Sequence, residues 1–395
     1  MQPVQGNRLA IAVIFGGRSV EHGVSVITAW QVMAAMDRAR YEILPLYVTG
    51  AGECFLISPD FAVRDHPGLP LDPTTVERGA RQAGRRILLA ATGAGSLVCE
   101  LRAVPFVGDT LRPLKVDVAL PLIHGTHGED GTIQGLFELA DVAYVGPGVV
   151  GSAVCMDKIA TKAVLKGSGI PVVESASVAR WEWQEQREET LDRLEALGLP
   201  LFVKPANLGS SIAVSRADDR EQLGFAIDVA LHYDRKCLVE KSVEGAWDIN
   251  CAVLGTRPPL VSVCERPLSS RDFLSYEDKY LRGGKQGGLS ASSRQIPAEI
   301  PEEVVKRLQE LALRAFRATD CSGVARVDFL VQPESWTIYL NEINTIPGSL
   351  SFYLWEASGL NAGEVLERLV ASAQERHREK QLTIYSAQET LALIK

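Results

Sequence analysis

Four polar side chains in the last third of the chain have the types and spacing of a phosphate-handling metal site. Arg326 and Asp328 stand two apart in Gly323-Val324-Ala325-Arg326-Val327-Asp328, and Glu342 and Asn344 stand two apart in Leu340-Asn341-Glu342-Ile343-Asn344. Residues two apart on a strand share a face. A turn over 332–335 would fold the two strands into a hairpin with Asp328 roughly opposite Glu342. Two carboxylates and an amide oxygen are the hard ligands that magnesium accepts when it is shared with substrate phosphates. A guanidinium beside them suits a place where phosphoryl or oxyanion charge develops. A solvated strand face with a salt bridge is the plainer reading of any one such pair. Four matched positions running into Asn344-Thr345-Ile346-Pro347-Gly348 weigh against it.

Other segments carry compatible chemistry. Phe202-Val203-Lys204 reads as a strand ending in a lysine, followed by a Gly/Ser loop through Gly209, Ser210 and Ser211. Small residues let backbone N–H groups wrap phosphate oxygens, and the lysine adds charge. The lysine precedes the glycine and no helix follows, so this is not a Walker A loop; a plain hairpin loop would look similar. Lys158 in Met156-Asp157-Lys158 stands near a helix start, where a solvated lysine is the ordinary case. Leu238-Val239-Glu240-Lys241-Ser242-Val243 is a strand whose end can offer backbone edges to adenine, and Asp248 can accept from ribose hydroxyls. Glu21 lies at the first helix start. It either serves that helix, with Ser19 as cap, or grips a substrate ammonium group. Lys279-Tyr280, followed by the glycine-rich run 283–288, reads as a mobile lid or as an ordinary flexible loop.

The elements that must position these groups follow from periodicity and punctuation. The apolar run 9–15, a Gly16-Gly17 turn, a helix over 21–36 and a strand over 42–48 make a β–α–β start, the opening of a parallel sheet. Residues 59–112 are weakly periodic and read as an elaborated surface region with short strands near 86–90 and 97–107. A strand over 116–122 runs into His124-Gly125-Thr126-His127-Gly128-Glu129-Asp130-Gly131, then a helix over 132–140 and a strand over 143–145. Further helices are expected over 152–166, 218–231, 301–318 and 362–378. Strands are expected over 201–204, 212–215, 237–240, 249–254, 260–265, 323–331 and 337–343. The fold class is α/β, in part α+β, with domains over 1–147, 148–240 and 241–395.

Composition sets the outer limits. The 395 residues are 46% hydrophobic and 23% charged, with a formal net charge of −8. No basic block is present, so nucleic acid is not an expected partner. The first apolar run is too short for a membrane span and lacks a cleavage-site pattern, so no membrane partner is expected. Seven scattered cysteines without CxxC spacing fit reduced thiols in a cytoplasm.

Taken together, the segments 16–25, 124–135, 144–148, 152–158, 202–211, 279–280, 325–328 and 340–348 resemble the D-alanine–D-alanine ligase family of the ATP-grasp superfamily, in that family's order. The resemblance implies an ATP-grasp fold, with an N-terminal parallel α/β domain and two sub-domains that sandwich ATP. It implies that Glu21 holds the ammonium of the first amino acid, and that Lys158, Lys204, Ser211 and Lys279 serve the ATP phosphates. Glu240, Lys241 and Val243 would line the adenine site, with Asp248 at the ribose. Asp328, Glu342 and Asn344 would hold two Mg²⁺ (or Mn²⁺) ions, and Arg326 with the N–H of Gly348 would stabilise the oxyanion. Glu21, Ser210 and Tyr280 would form a hydrogen-bonded triad, with Tyr280 pointing to an amine nucleophile. Small-molecule substrates and a homodimer are implied as well.

The sequence departs from the family pattern after Gly348. There a serine usually binds the acceptor carboxylate, whereas this chain reads Ser349-Leu350-Ser351-Phe352-Tyr353-Leu354-Trp355-Glu356. Ser349 and Ser351 are candidates for that role, and Tyr353 and Trp355 for walls of a different acceptor pocket. Trp247-Asp248 stands where an Arg-Glu pair is usual. The leading expectation is ligation of two D-alanines for peptidoglycan precursors. The alternatives are a dipeptide ligase with another acceptor in specialised metabolism, and a nucleotide-binding protein without catalysis.

Overall fold

The computed structural model describes residues 8–59, 73–91, 97–104, 108–255, 257–268 and 294–384. The chain opens with β1 (Leu9–Gly16), α1 (His22–Ala35), β2 (Tyr41–Val48), β3 (Cys54–Leu56), α2 (Pro73–Ala83), β4 (Arg85–Leu89), β5 (Val98–Val104), β6 (Gly108–Leu114), β7 (Val118–Pro121), α3 (Thr132–Ala140) and β8 (Ala143–Tyr144). These eight strands form one sheet in the order β6-β5-β4-β3-β2-β1-β7-β8. β1 pairs in parallel with β2 and β7, and β7 with β8. β1 is apolar throughout because it is buried on both faces, as a central parallel strand must be.

The short strands expected near 86–90 and 97–107 are found as β4 and β5, and the region around them is an antiparallel extension of this sheet, β2 through β6. Its helix α2, not expected from the sequence, buries Val76 and Ala80 at i and i+4. Its arginines gave the stretch a surface look, and Arg81 does lie at the surface, paired with Glu53 and Glu77.

The middle of the chain contributes α4 (Val149–Met156), α5 (Lys158–Gly167), β9 (Ser175–Ala179), α6 (Arg180–Glu185), α7 (Arg187–Glu195), β10 (Leu201–Pro205), β11 (Ser215–Ala217), α8 (Arg220–Tyr233) and β12 (Lys236–Lys241). The strands make an antiparallel sheet ordered β11-β10-β12-β9. The single helix expected over 152–166 is two helices, because the Asp157 carboxylate accepts from the N–H groups of Ile159 and Ala160 and so starts a new one. The strand expected over 212–215 begins only at Ser215, because Ser210, Ser211 and Ala213 have φ between 54° and 58°, which no strand admits.

The remainder supplies β13 (Trp247–Leu254), β14 (Leu260–Val261), β15 (Arg266–Pro267), β16 (Arg294–Gln295), α9 (Glu302–Ala318), β17 (Val324–Gln332), β18 (Thr337–Asn344), a 3₁₀ turn at Gly348–Ser351, α10 (Phe352–Ala357) and α11 (Ala362–Lys380). A third sheet has the order β14-β13-β17-β18. The expected strand over 260–265 stops at Val261, where the Ser262 hydroxyl takes the N–H of Ala252 in place of a carbonyl. Helix α9 buries Val304, Leu308, Leu311, Ala312 and Ala315 on one stripe.

The last two helices return to the first sheet. Trp355, Leu366, Leu369 and Val370 share a core with Ile11, Val13 and Phe15. Arg376 locks this return, stacking on Tyr144 and donating to the carbonyls of Tyr144 and Gly146. Trp355 is therefore core rather than pocket wall. Among the described residues, no helix is long and apolar enough to cross a membrane.

Candidate functional site

Strands β17 and β18 form the expected hairpin, and Asp328 pairs with Glu342 across it. The register slips directly beyond this pair, since Phe329 faces Leu340. Asn341 is thus an extra, bulged residue, and a bulge re-aims side chains at one place in a sheet. The Arg326 guanidinium clamps both oxygens of Asp328, with Nε and Nη2 each at 2.7 Å, and the Asn344 amide donates to the same carboxylate at 2.9 Å.

This donor set can be tested against a divalent cation. Two carboxylates and an amide from adjacent strands offer hard oxygen ligands, too few to enclose an ion. Among the described residues no cluster of three or more His, Cys, Asp and Glu exists that could hold a metal alone. That incompleteness fits magnesium or manganese, which take their remaining ligands from phosphates and water.

Behind the hairpin lies a cavity of about 180 Å³. Lys158, Lys204, Ser211, Glu240, Lys241, Val243 and Asp248 all line it, together with Asp328 and Glu342. Phe202, Leu208, Val214 and Leu330 give it an apolar side. β10 and β12 place Lys204 and Glu240 by their antiparallel register, in which Phe202 faces Glu240 and Lys204 faces Leu238. The Glu240 carboxylate is buried, with Lys162 Nζ at 2.8 Å on one oxygen and Lys204 Nζ on the other. Burial would raise this carboxyl, but the two ammonium groups outweigh it and hold it down at about 2. Burial likewise lowers Lys162, while on Lys204 burial is outweighed by the charge and hydrogen bond of Glu240 together with the charges of Glu342 and Asp248, and the ammonium is raised. Lys204 also donates to Asn341 Oδ1 at 3.2 Å, so the bulge ties the third sheet to the second. Lys158 donates to the Leu208 carbonyl at 2.7 Å and lies 4.0 Å from Glu342.

A larger cleft of about 940 Å³ adjoins this cavity, and Lys158, Arg326, Asn341 and Glu342 border both. Glu21, Ser210, Arg326 and Gly348 line it. The helix begins at His22, and the Ser19 hydroxyl accepts from the N–H of Glu21 at 3.1 Å instead of capping the helix. The Glu21 side chain is therefore left for the cleft, where it accepts from the Ser210 hydroxyl. Gly125 and Gly209 flank it closely: a Cβ there would stand 2.5 and 2.7 Å from Glu21 Oε2.

Two residues that sequence reasoning left without a role complete this wall. Glu129 accepts from the N–H groups of Gly125 at 2.8 Å and Ile346 at 2.7 Å, so it joins the loop after β7 to the exit of β18. Burial, and then the charge of Glu21, push its carboxyl up to about 7. His124 lies within hydrogen-bond reach of Thr28 Oγ1 at 3.0 Å, and Thr28 accepts from the N–H of Ser349 at 3.2 Å. Burial and the Arg326 charge lower the His124 imidazole to about 4, so it is neutral near pH 7.

Lys279, Tyr280 and the glycine-rich run 283–288 lie outside the described residues. Ser349 borders the cleft with its hydroxyl on Gln31, and Ser351 is buried. Tyr353 lines the cleft. Lys162 was missed, although its position one helical turn after Lys158 puts both on one face of α5.

Comparison with known proteins agrees with this architecture. Residues 10–147 match the family described as D-ala D-ala ligase N-terminus, and residues 164–371 match D-ala D-ala ligase C-terminus. A D-alanine–D-alanine ligase from Chloroherpeton thalassium is 40% identical over 383 residues, 95% of this chain and 99% of the relative. Another from Heliobacterium modesticaldum is 42% identical over 377 residues, 94% and 96% of the two chains. The solved D-alanine–D-alanine ligase of Coxiella burnetii superposes with a TM-score of 0.77 at 33% identity, covering 95% of this chain and 97% of its own. A D-Ala:D-Ser ligase from Enterococcus faecalis superposes with a TM-score of 0.73 at 30% identity, covering 93% and 100%. With both family regions matched in order and relatives of this similarity along nearly its whole length, the chain belongs to the D-alanine–D-alanine ligase family.

Proposed function

We propose that this chain is an ATP-dependent ligase that joins two D-alanines, releasing ADP and phosphate, in the supply of peptidoglycan precursors. The observation that carries the reading is the shared border of the two cavities. Lys158, Arg326 and Glu342 face both the smaller cavity, suited to a nucleotide, and the larger cleft, suited to amino acids. A carboxylate in the cleft is thereby within reach of a phosphoryl donor in the cavity.

The residues divide the work. Lys158, Lys204, Ser211 and Lys279 neutralise and orient the phosphates. Glu240, Lys241, Val243 and Asp248 receive the adenosine. Asp328, Glu342 and Asn344 would hold two Mg²⁺ or Mn²⁺ ions. Bound there, such ions supply charge neutralisation for phosphoryl transfer. Arg326, released from Asp328, faces the charge that develops on the acyl oxygen, with the N–H of Gly348 opposite. Glu21 holds the first ammonium and is itself held by Ser210, with Tyr280 as third member of the triad. Phosphorylation turns a poor electrophile into a good one, and the acceptor amine then displaces phosphate. The acyl phosphate hydrolyses readily, so a lid that excludes water is required, and the segment after Lys279 fits that need.

The domains work as 1–147, 148–240 and 241–395. The protein acts in the cytoplasm as a homodimer on small molecules, without a nucleic-acid or membrane partner. A second reading keeps the reaction and changes the acceptor. The run after Gly348 favours it, because Tyr353 stands on the cleft wall while Ser351 is buried. Release of ADP with ATP, Mg²⁺ and D-alanine tests the first reading, with L-amino acids, D-serine and D-lactate in parallel. Turnover with another amino acid and none with D-alanine would transfer the assignment to the second.

A further inference from the structure

Arg294 is a cleft residue to which none of these roles falls. It stands in β16 opposite Pro267 of β15, on the cleft wall shared by Glu265, Tyr353 and Arg326. Its guanidinium lies over the Tyr353 ring, 4.2 Å from the centroid, and Nη1 is 3.4 Å from Glu265 Oε2. Glu265 is itself fixed. Its other oxygen accepts from the Tyr353 hydroxyl at 2.5 Å and the Asn250 amide at 3.2 Å. The guanidinium is thus held between a carboxylate and an aromatic face.

It is held with donor capacity to spare. Arg294 Nε is buried and has no hydrogen-bond partner among the described residues. A buried N–H of a charged group left unpaired is costly, so such groups are ordinarily matched by an acceptor. Among the described residues, the other guanidinium of the cleft is Arg326, which is held on Asp328 here and goes to the developing oxyanion in the ligase reading. The serines after Gly348 are placed less favourably. Ser349 turns its hydroxyl onto Gln31, and Ser351 does not reach the cleft.

An acceptor amino acid brings a carboxylate into this cleft, and a planar guanidinium fork is the side chain best matched to it. Resting on the ligase reading above, we infer that Arg294, clamped by Glu265 and Tyr353, receives the α-carboxylate of the acceptor. The acceptor class follows: amino acids with a free carboxylate beside the nucleophilic amine, in preference to amides or simple amines.

The test is a competition in one vessel, with ATP, Mg²⁺, D-alanine and D-alaninamide. The ratio of D-alanyl-D-alanine to its amide is read by mass spectrometry. This ratio is insensitive to the fraction of enzyme that is folded. The wild-type protein is expected to favour the acid. Arg294→Ala is expected to shift the ratio toward the amide by roughly 10-fold or more, the scale of a lost charge-assisted hydrogen bond. Arg294→Lys should fall between the two. Wild-type ligation with the same acid preference in Arg294→Ala would overturn the assignment alone. Absence of ligation by the wild-type protein with any amino acid would overturn the ligase reading, and the assignment with it.

Discussion

The hydroxyl of Ser210 donates to the carboxylate of Glu21, across 189 positions of chain. This contact closes the Gly/Ser loop of the second sheet onto the first helix start, and it fixes the carboxylate at the cleft wall. Gly125 and Gly209 leave that carboxylate room on both sides.

If Glu21 receives the first ammonium, removing its charge should act on binding first. Glu21→Gln is expected to raise KM for the first amino acid by about 10–100-fold, and Ser210→Ala by several-fold less. Initial-rate measurements over two D-alanine ranges separate the two sites. An unchanged first KM in Glu21→Gln would remove this role.

Asp328 and Glu342 face each other on adjacent strands, and their proposed work is electrostatic. Asp328→Asn and Glu342→Gln are expected to lower kcat by at least roughly 10²-fold. Both should raise the Mg²⁺ concentration needed for half-maximal rate, with circular dichroism unchanged. Near-normal turnover in either variant would sink the metal assignment.

The buried Glu240 carries a different prediction, because it serves stability as well as the site. Glu240→Gln removes the carboxylate shared by Lys162 and Lys204, and breaking a buried pair costs about 3–5 kcal/mol. Urea unfolding at pH 7 checks this. The folded carboxyl at about 2 lies below the ordinary 4.5. Its contribution is therefore full above 4.5 and is lost as pH falls from there toward 2. The difference between wild type and Glu240→Gln should shrink across that window. A constant difference would contradict the pairing.

Glu129 has the opposite sign. Its folded carboxyl lies at about 7, above the ordinary 4.5, so the folded state holds the proton more tightly. Its contribution favours folding at low pH and is lost as pH rises from 4.5 through 7. Glu129→Gln is expected to flatten the stability profile in that interval. It should also cost about 1–3 kcal/mol throughout, because an amide cannot accept from both Gly125 and Ile346. An unchanged slope in the variant would contradict the raised carboxyl.

The sequence made legible what depends on local periodicity. Alternation placed Arg326 with Asp328 and Glu342 with Asn344, and the hairpin turn brought Asp328 opposite Glu342. The β–α–β start was readable because β1 is apolar on both faces. What escaped depends on contacts between distant segments. The bulge at Asn341 exists only in the pairing of two strands, and it is what turns this amide onto Lys204. Lys162 looks like any helical lysine until Glu240 is seen beside it. Glu265 and Arg294 meet only when β15 pairs with β16. The interruptions at Asp157 and Ser262 arise from side chains that compete for backbone hydrogen bonds, which hydrophobic patterning does not register. Strands β4 and β5 were legible near 86–90 and 97–107, but their antiparallel pairing with β3 and β6 again depends on distant segments.

The most direct measurement of the central claim is ADP release by the purified protein with ATP, Mg²⁺ and D-alanine, with the product identified by mass spectrometry. ADP and D-alanyl-D-alanine are expected in equal amounts, and none of either without Mg²⁺. ADP released at the same rate with and without D-alanine, and no dipeptide, would contradict that claim.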